Sequence, residues 1–396
     1  MKKTSLIFLI LIILSARAFS YNWFDDRYVE LSIGSKFGLS NDALQIGEVL
    51  KKNVVLDLRK MADQIPSSGI TMNANMLPEI SLNFRFKKFQ LGFKTASDVW
   101  MTGSLSKDLF DYLGKGNTLN QTVSISQSLN VDAFAYEEVS VGFKIKEFKI
   151  VTKPTLFVPV LHAGSRNGTL NLSNLSDGSL NVDYSSDIEI YSAYPIAGGG
   201  GFKGGFGFDL GASVSYPLLE FLTLTGNARI PIVPGQLKYK TVQTTTMQFT
   251  TTVDKIINGS LGSNNFSSSH GDSVSASYFI NRPMKFSIFA DYKPPVGWLI
   301  LTGGLGMGFR HPFTEDKDSF AFFGEYYLSG TLKFLKFLSF TFSTEYYEQI
   351  FIHQFSFSVN ARVIELVLGI NAQSADFYKS CSGGGLGGLF AVKLGY

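Results

Sequence analysis

From Pro78 onward the chain keeps returning to one pattern: apolar residues at every second position, a break of a few residues, then the same alternation again. Pro78, Ile80, Leu82, Phe84 and Phe86 are followed, after Lys87 and Lys88, by Leu91, Phe93 and Val99. Residues 133–144 and 149–161 repeat the pattern, as do 206–216 and 222–230, 284–292 and 299–309, 320–334 and 338–342, and 355–363 and 366–370. A period of two puts alternate side chains on opposite faces of a strand, and strands joined by so few residues pair antiparallel. The six hairpins supply twelve strands; an opening one with Val29, Leu31, Ile33 and Phe37 and a closing one with Phe390, Val392, Leu394 and Tyr396 make fourteen.

The start of the chain carries an export signal. Lys2 and Lys3 precede an apolar run from Leu6 to Leu14, and Ala16-Arg17-Ala18 supplies the small residues of a cleavage site, the layout of a secretory signal peptide. Cleavage is expected after Ala18, leaving residues 19–396 as one domain. Beyond the leader no apolar run reaches the roughly 18–20 residues of a spanning helix. Yet 36 Phe, 17 Tyr and 39 Gly accompany only 17% charged residues. Strands of that composition suit non-aqueous surroundings, where a closed barrel is the other structure that satisfies its own backbone.

The alternation that ends on Tyr396 resembles the recognition signal of bacterial outer-membrane barrels. That resemblance implies handling by the barrel assembly machinery through Phe390, Val392, Leu394 and Tyr396, with outer-membrane lipid around the wall. Taken alone, the segment also fits an edge strand of a soluble sheet. The expected fold is all-β: a transmembrane antiparallel up-and-down barrel of about 14 strands in the bacterial outer membrane. An even number brings both chain ends to the side of the short turns and lets the first strand pair with the last. The one cysteine, Cys381, makes no intramolecular disulfide, and a net charge of +3 gives no case for nucleic acid.

The faces opposite the apolar ones carry Glu79, Asn83, Arg85, Lys94, Asp98, Asp209, Ser213, Thr223, Asn227, Arg229, Lys285, Asp291, Thr302, Arg310, Glu325, Lys333, Glu345, Gln354, Asn360 and Arg362. The lumen is therefore polar, with acids and bases interleaved. Barrels of about 8 strands are filled by side chains and those of about 16–18 hold an aqueous channel, so fourteen enclose space for a plug or a cargo. Residues 40–66 offer a plug or lid: Ser40, Asn41 or Asp42 as the cap, then Leu44, Ile46, Val49, Leu50, Val54, Leu58 and Met61 at helical spacing. Whether it enters the lumen, lies on top, or forms with residues 28–70 a plug in place of the first strand stays open.

Fourteen strands, a helical element for occlusion and a polar lumen resemble the long-chain fatty acid transporter (FadL) type of outer-membrane protein, in particular divergent spirochaete relatives. The local echo is Gly205-Phe206-Gly207-Phe208-Asp209-Leu210-Gly211-Ala212, with Glu137-Glu138-Val139-Ser140-Val141-Gly142 upstream. The resemblance implies passive uptake of hydrophobic solutes such as fatty acids, caught at the outer mouth and released sideways through the wall. Strand direction puts Trp100, Arg229, Lys285, Arg310, Phe323 and Tyr347 inward near the outer rim, where cations beside aromatics suit a carboxylate with an acyl tail. Equally, Arg229, Lys285 and Arg310 fit as partners of Asp209, Glu325 and Glu345. Pro154 and Pro159 lie in one strand, where each removes a ladder donor, and mark a lateral-gap candidate.

Other functions remain as alternatives: a general diffusion porin, or a surface adhesin or structural barrel. Catalysis is not expected. His162, His270, His311 and His353 fall at outer strand ends or loops without a metal-ligand spacing, no Gly-x-Ser-x-Gly elbow occurs, and no cofactor or metal is implied.

Overall fold

The computed structural model describes residues 27–42, 57–196, 199–252, 265–310, 321–334 and 337–396, with Lys255 and Pro312. Fourteen strands close on themselves in the order β1 (Val29–Asn41), β2 (Ile70–Arg85), β3 (Phe89–Leu105), β4 (Thr122–Ile145), β5 (Phe148–Asn174), β8 (Gly207–Leu219), β9 (Leu222–Val233), β13 (Met284–Tyr292), β14 (Leu299–Arg310), β15 (Ala321–Phe334), β16 (Leu338–Tyr347), β17 (Ile350–Asn360), β18 (Ile364–Ser374) and β19 (Gly385–Gly395). All neighbours are antiparallel, and β19 returns to β1 with Leu31 opposite Leu394 and Ile33 opposite Val392. The seam is drawn tight at its foot, where the Tyr28 and Val29 amides donate to the Tyr396 carbonyl at 2.7 and 3.1 Å.

The alternation of the sequence becomes the two sides of this wall. Ile33, Phe37, Phe93, Leu210, Ile288, Leu305, Leu328, Phe342 and Ile370 point outward and are exposed, while Glu30, Ser32, Asp209, Asn360 and Asn371 are buried on the other side. An apolar exterior around a polar interior is the inverse of a water-soluble fold, and it spans a bilayer. Most of the short turns, among them Lys146-Glu147 and Glu220-Phe221, lie at the end that holds residue 27 and Tyr396, and the two-residue turn between β16 and β17 lies at the opposite end. No helix among the described residues is long and apolar enough to cross a membrane.

At the opposite end the strands outgrow the barrel. β4 and β5 run for 24 and 27 residues, and the upper part of β5 leaves β8 to pair with β6 (Ser179–Ser192), which pairs in turn with β10 (Gly235–Thr252). The two-residue β7 (Gly204–Gly205), β11 (Asn265–His270) and β12 (Val274–Ile280) complete this arm along β10. One face is apolar, with Ile125, Leu172 and Val182 buried against Leu109 and Tyr112. Those last two belong to α2 (Lys107–Lys115), which packs on α1 (Leu58–Gln64), tied to it through Lys115 and Asp63 at 3.1 Å. The other face carries Ser124, Asn171, Asp183 and Gln248 on one rung and Ser126, Thr169, Ser185 and Thr246 on the next.

The helix anticipated over 40–66 is described only as α1, capped by Asp57, whose carboxylate accepts from the Lys60 amide at 3.0 Å. Ser40 and Asn41 are instead the last residues of β1, with the Asn41 amide bonded to the Gly384 carbonyl at 2.9 Å; strand pairing to β2 and β19 claims the backbone that a cap would need. Leu44 to Val54, and the leader at residues 1–18, lie outside the described residues.

Candidate functional site

Six inward side chains anticipated from strand direction converge at the outer end of the lumen: Trp100 from β3, Arg229 from β9, Lys285 from β13, Arg310 from β14, Phe323 from β15 and Tyr347 from β16. Trp100 and Tyr347 have ring centroids 5.4 Å apart. The Lys285 ammonium stands 4.0 Å from the Tyr347 centroid and 5.2 Å from that of Phe323, and the Arg310 guanidinium 5.9 Å from Phe323. These distances lie within the range where an aromatic face attracts a cation. Lumen-facing positions repeat every second residue, so neighbouring strands in register bring their inward residues to one level.

The pairing of charges differs in part from the expected set. Lys285 does reach Glu325, at 2.8 Å. Asp209, however, pairs with Arg282 at 3.1 Å, and Glu345 with Lys36 across the lumen. Arg229 donates through Nε to the Pro283 carbonyl at 3.0 Å and, among the described residues, makes no ion pair. The centre of the network is Glu348, held by Lys285 at 2.7 Å and by the Nε of Arg310 at 3.0 Å. Burial pushes the Glu348 carboxyl upward, but Lys285 and Arg310 outweigh it and hold it down at about 2. A second knot forms on Arg282, bound to Asp98 and Asp209 at 3.1 Å each and stacked 3.8 Å over Tyr136.

Sequence reasoning missed both Glu348 and Arg282 because each lies just beyond a strand, where alternation stops. Glu348 and Gln349 form the β16–β17 turn with φ of 50° and 67°, a two-residue turn that Asn-Gly or Asp-Gly usually fills. A glutamate kept in a left-handed position is held there by something, and here that is the pair of cations.

The charges and rings close around a space of ≈ 20 Å³ lined by Trp100, Phe134, Arg229, Asn281, Arg310 and Tyr347, among others. That is room for about one water molecule. Asn281, which lines it, has a buried Oδ1 without a hydrogen-bond partner among the described residues, and the same holds of Arg282 Nε and Asp209 Oδ1. His162 bonds Asp132 at 2.7 Å and the Tyr278 hydroxyl at 3.1 Å, and Tyr278 stacks on Tyr191 at 4.3 Å. His353 lies 3.3 Å from the Cys381 sulfur; the side chains of His270 and His311 lie outside the described residues. No group of three metal-ligating side chains occurs among the described residues.

The other end of the lumen holds a different cluster. Arg27, 3% exposed, meets Glu30 at 3.2 Å, Glu365 at 3.4 Å and Asn360 Oδ1 at 3.2 Å. Arg85 adds a bond to Glu30 at 3.3 Å, and Lys393 one to Glu365 at 3.2 Å. This cluster joins the first, last and penultimate strands just inside the seam.

Of the two prolines, Pro154 sits opposite Leu210 in an unbroken β5–β8 ladder. Pro159 is buried beside a bulge where Ala133 faces Leu161 and Phe134 faces Pro159. The wall loses rungs elsewhere: between β2 and β3 the pairing jumps from Met76–Val99 to Glu79–Ala96, leaving out Leu77 and Pro78.

The architecture so far is that of a closed membrane-spanning barrel whose outer lumen is lined by paired charges and aromatic rings. Solved structures of that architecture resemble this one over nearly its whole length. The P. putida toluene transporter TodX matches with TM-score 0.51 at 8% identity, covering 94% of this chain and 91% of that one. A TodX deltaS2S3 mutant, a monoaromatic hydrocarbon channel, matches with TM-score 0.50 at 9% identity, covering 94% and 92%. The fold is therefore shared with these hydrocarbon channels. No protein-family model and no curated protein matches the chain.

Proposed function

We propose that the protein is a bacterial outer-membrane channel for the passive uptake of hydrophobic solutes, long-chain fatty acids among them. The observation that carries this reading is the state of the outer lumen: aromatic rings line it, and its cations are tied to carboxylates, Arg229 excepted among the described residues. A general porin needs a wide aqueous path, and the spaces beside Tyr347 are small, ≈ 20 Å³ toward Trp100 and ≈ 280 Å³ toward Phe289 and Glu325. Shared fold with the toluene transporter supports the same direction.

In this reading Trp100, Phe323 and Tyr347 receive the apolar body of the solute. Arg229, which makes no ion pair among the described residues and bonds the Pro283 carbonyl through Nε, receives a carboxylate or carbonyl. Lys285 and Arg310 act through Glu348, keeping the pocket shut until solute displaces the rings. Exit through the wall keeps an apolar solute in lipid and away from the ionic Arg27 cluster at the inner end. The terminal strand, through Phe390, Val392, Leu394 and Tyr396, engages the assembly machinery that inserts the barrel.

The test is a pair of rates on the same proteoliposomes: entry of a labelled long-chain fatty acid and passage of salt. The proposal expects faster fatty-acid entry with negligible salt current. Salt current without fatty-acid entry establishes the porin reading instead.

A further inference from the structure

The outer surface of the wall is not uniformly ridged. Across β8, β9, β13 and β14 a groove of ≈ 520 Å³ runs along the exterior, floored by Gly226 and Ala228 and walled by Val214, Phe286, Ile288 and Leu305. The floor is open: a Cβ built on Gly226 meets nothing within 4 Å. The residues that flank it on the inner side are Asn227 and Ser287, which stand opposite each other on the β9–β13 ladder.

We propose that this groove is a binding site for one acyl chain of a phospholipid in the leaflet at the short-turn end of the barrel. Three observations fix that occupant. First, the groove is continuous with the lipid-facing wall, since Ile288 and Leu305 beside it are 56% and 67% exposed. Second, its depth selects the leaflet. Gly226 lies four residues into β9, about 13 Å along the strand at roughly 3.3 Å per residue, and strand tilt keeps it inside the near half of a core about 30 Å thick.

Third, the foot of the groove is built for a headgroup. Descending the same outward row, Leu224 faces Ala290 and Leu222 faces Tyr292. Below them Phe221 and Tyr292 meet edge to face at 5.6 Å, and the exposed Lys293 is fixed by its amide to the Phe221 carbonyl at 2.7 Å. Aromatic rings at the interface with a lysine beside them place an anchor for a phosphate, while a free fatty acid would bring only a carboxylate. The groove is a place where an acyl chain fills a gap that neighbouring side chains leave, and each CH₂ buried there adds to its retention.

The experiment uses the full-length protein, delipidated in detergent, with palmitoyl-oleoyl phosphatidylglycerol added back and retention read by native mass spectrometry. The wild type is expected to hold one phospholipid. Gly226→Leu fills the groove and is expected to weaken retention about tenfold, the loss of about two buried CH₂ groups. Gly103→Leu, on the outward row of β3 far from the groove, where a built Cβ meets nothing nearer than 3.5 Å, is expected to retain lipid like the wild type, and Lys293→Gln to weaken it. Should Gly226→Leu fail to migrate as a heat-modifiable barrel, Ala212→Leu fills the groove from its other side and carries the same expectation. Equal retention by wild type and the groove-filling variant overturns the proposal, as does retention of palmitic acid in place of the phospholipid.

Discussion

The two ends of the lumen are built from the same alternating strands and hold opposite kinds of cluster. At the outer end, acids and bases are interleaved with Trp100, Phe323 and Tyr347, and two of the main charges, Arg282 and Glu348, come from connections rather than strands. At the inner end, Arg27, Glu30, Arg85, Glu365 and Lys393 form an ionic cluster joining the chain's own ends. A cluster seated on rings and loops can rearrange around an apolar guest. One that ties the first strand to the last closes the barrel and leaves no reason for a solute to pass that way.

The largest expected effect lies at the inner end. Deleting Phe390 to Tyr396 removes the β19 partner of β1 from Glu30 to Ser35 and is expected to abolish assembly. Heat-modifiable barrel in the truncated protein contradicts this.

Next comes Glu348→Ala at the outer end, which leaves Lys285 and Arg310 facing each other without their shared carboxylate. Breaking a buried pair this way costs about 3–5 kcal/mol, read as a drop in the midpoint of denaturant-induced unfolding. A midpoint unchanged from wild type contradicts the central role of Glu348. Arg27→Ala is milder for folding but decisive for the comparison, since it loosens the inner cluster alone: the unfolding midpoint is expected to drop while fatty-acid entry per assembled barrel holds. If fatty-acid entry changes with it, the inner cluster is part of the solute's route.

Acid provides a graded probe of the outer cluster. The Glu348 carboxyl sits below its ordinary value of 4.5, at about 2. Its contribution is therefore fully present above pH 4.5 and lost as pH falls through about 2. Tryptophan emission from Trp100 is expected to stay constant from neutral pH down to that window and to change within it, and a transition near pH 6 assigns the response to another group. The smallest effect is that of Arg229→Ala, which removes one hydrogen-bonded charge from a half-buried site. Binding of a long-chain carboxylate is expected to weaken by about 1.5–3 kcal/mol with unfolding unchanged, while toluene entry is spared.

Much of this molecule can be read from its residues, and the reason is the physics of a closed wall. Alternation such as Leu366, Leu368 and Ile370 against Phe355, Phe357 and Val359 has one register that keeps apolar side chains in lipid, so strand pairs and their facing directions follow directly. The convergence of Trp100, Lys285 and Tyr347 follows from the same rule. What the rule does not reach is the arm. β6 and β10 to β12 stand in water, where Ser, Thr and Asn on one face carry no constraint from a bilayer, so residues 162–203 and 233–282 read as long loops. It also stops at strand ends, which hid Arg282 and the left-handed Glu348. Ser40 and Asn41 show the remaining ambiguity: both are good helix caps by type, and the ladder to β2 and β19 takes them for a strand.

The central claim is that apolar solute enters through the aromatic cluster at the outer end without an aqueous path beside it. The most direct measurement is fatty-acid entry into proteoliposomes carrying the wild type or Trp100→Ala, normalised to assembled barrel. The account predicts entry with the wild type and a severalfold slower rate with the variant; equal rates for the two would contradict it.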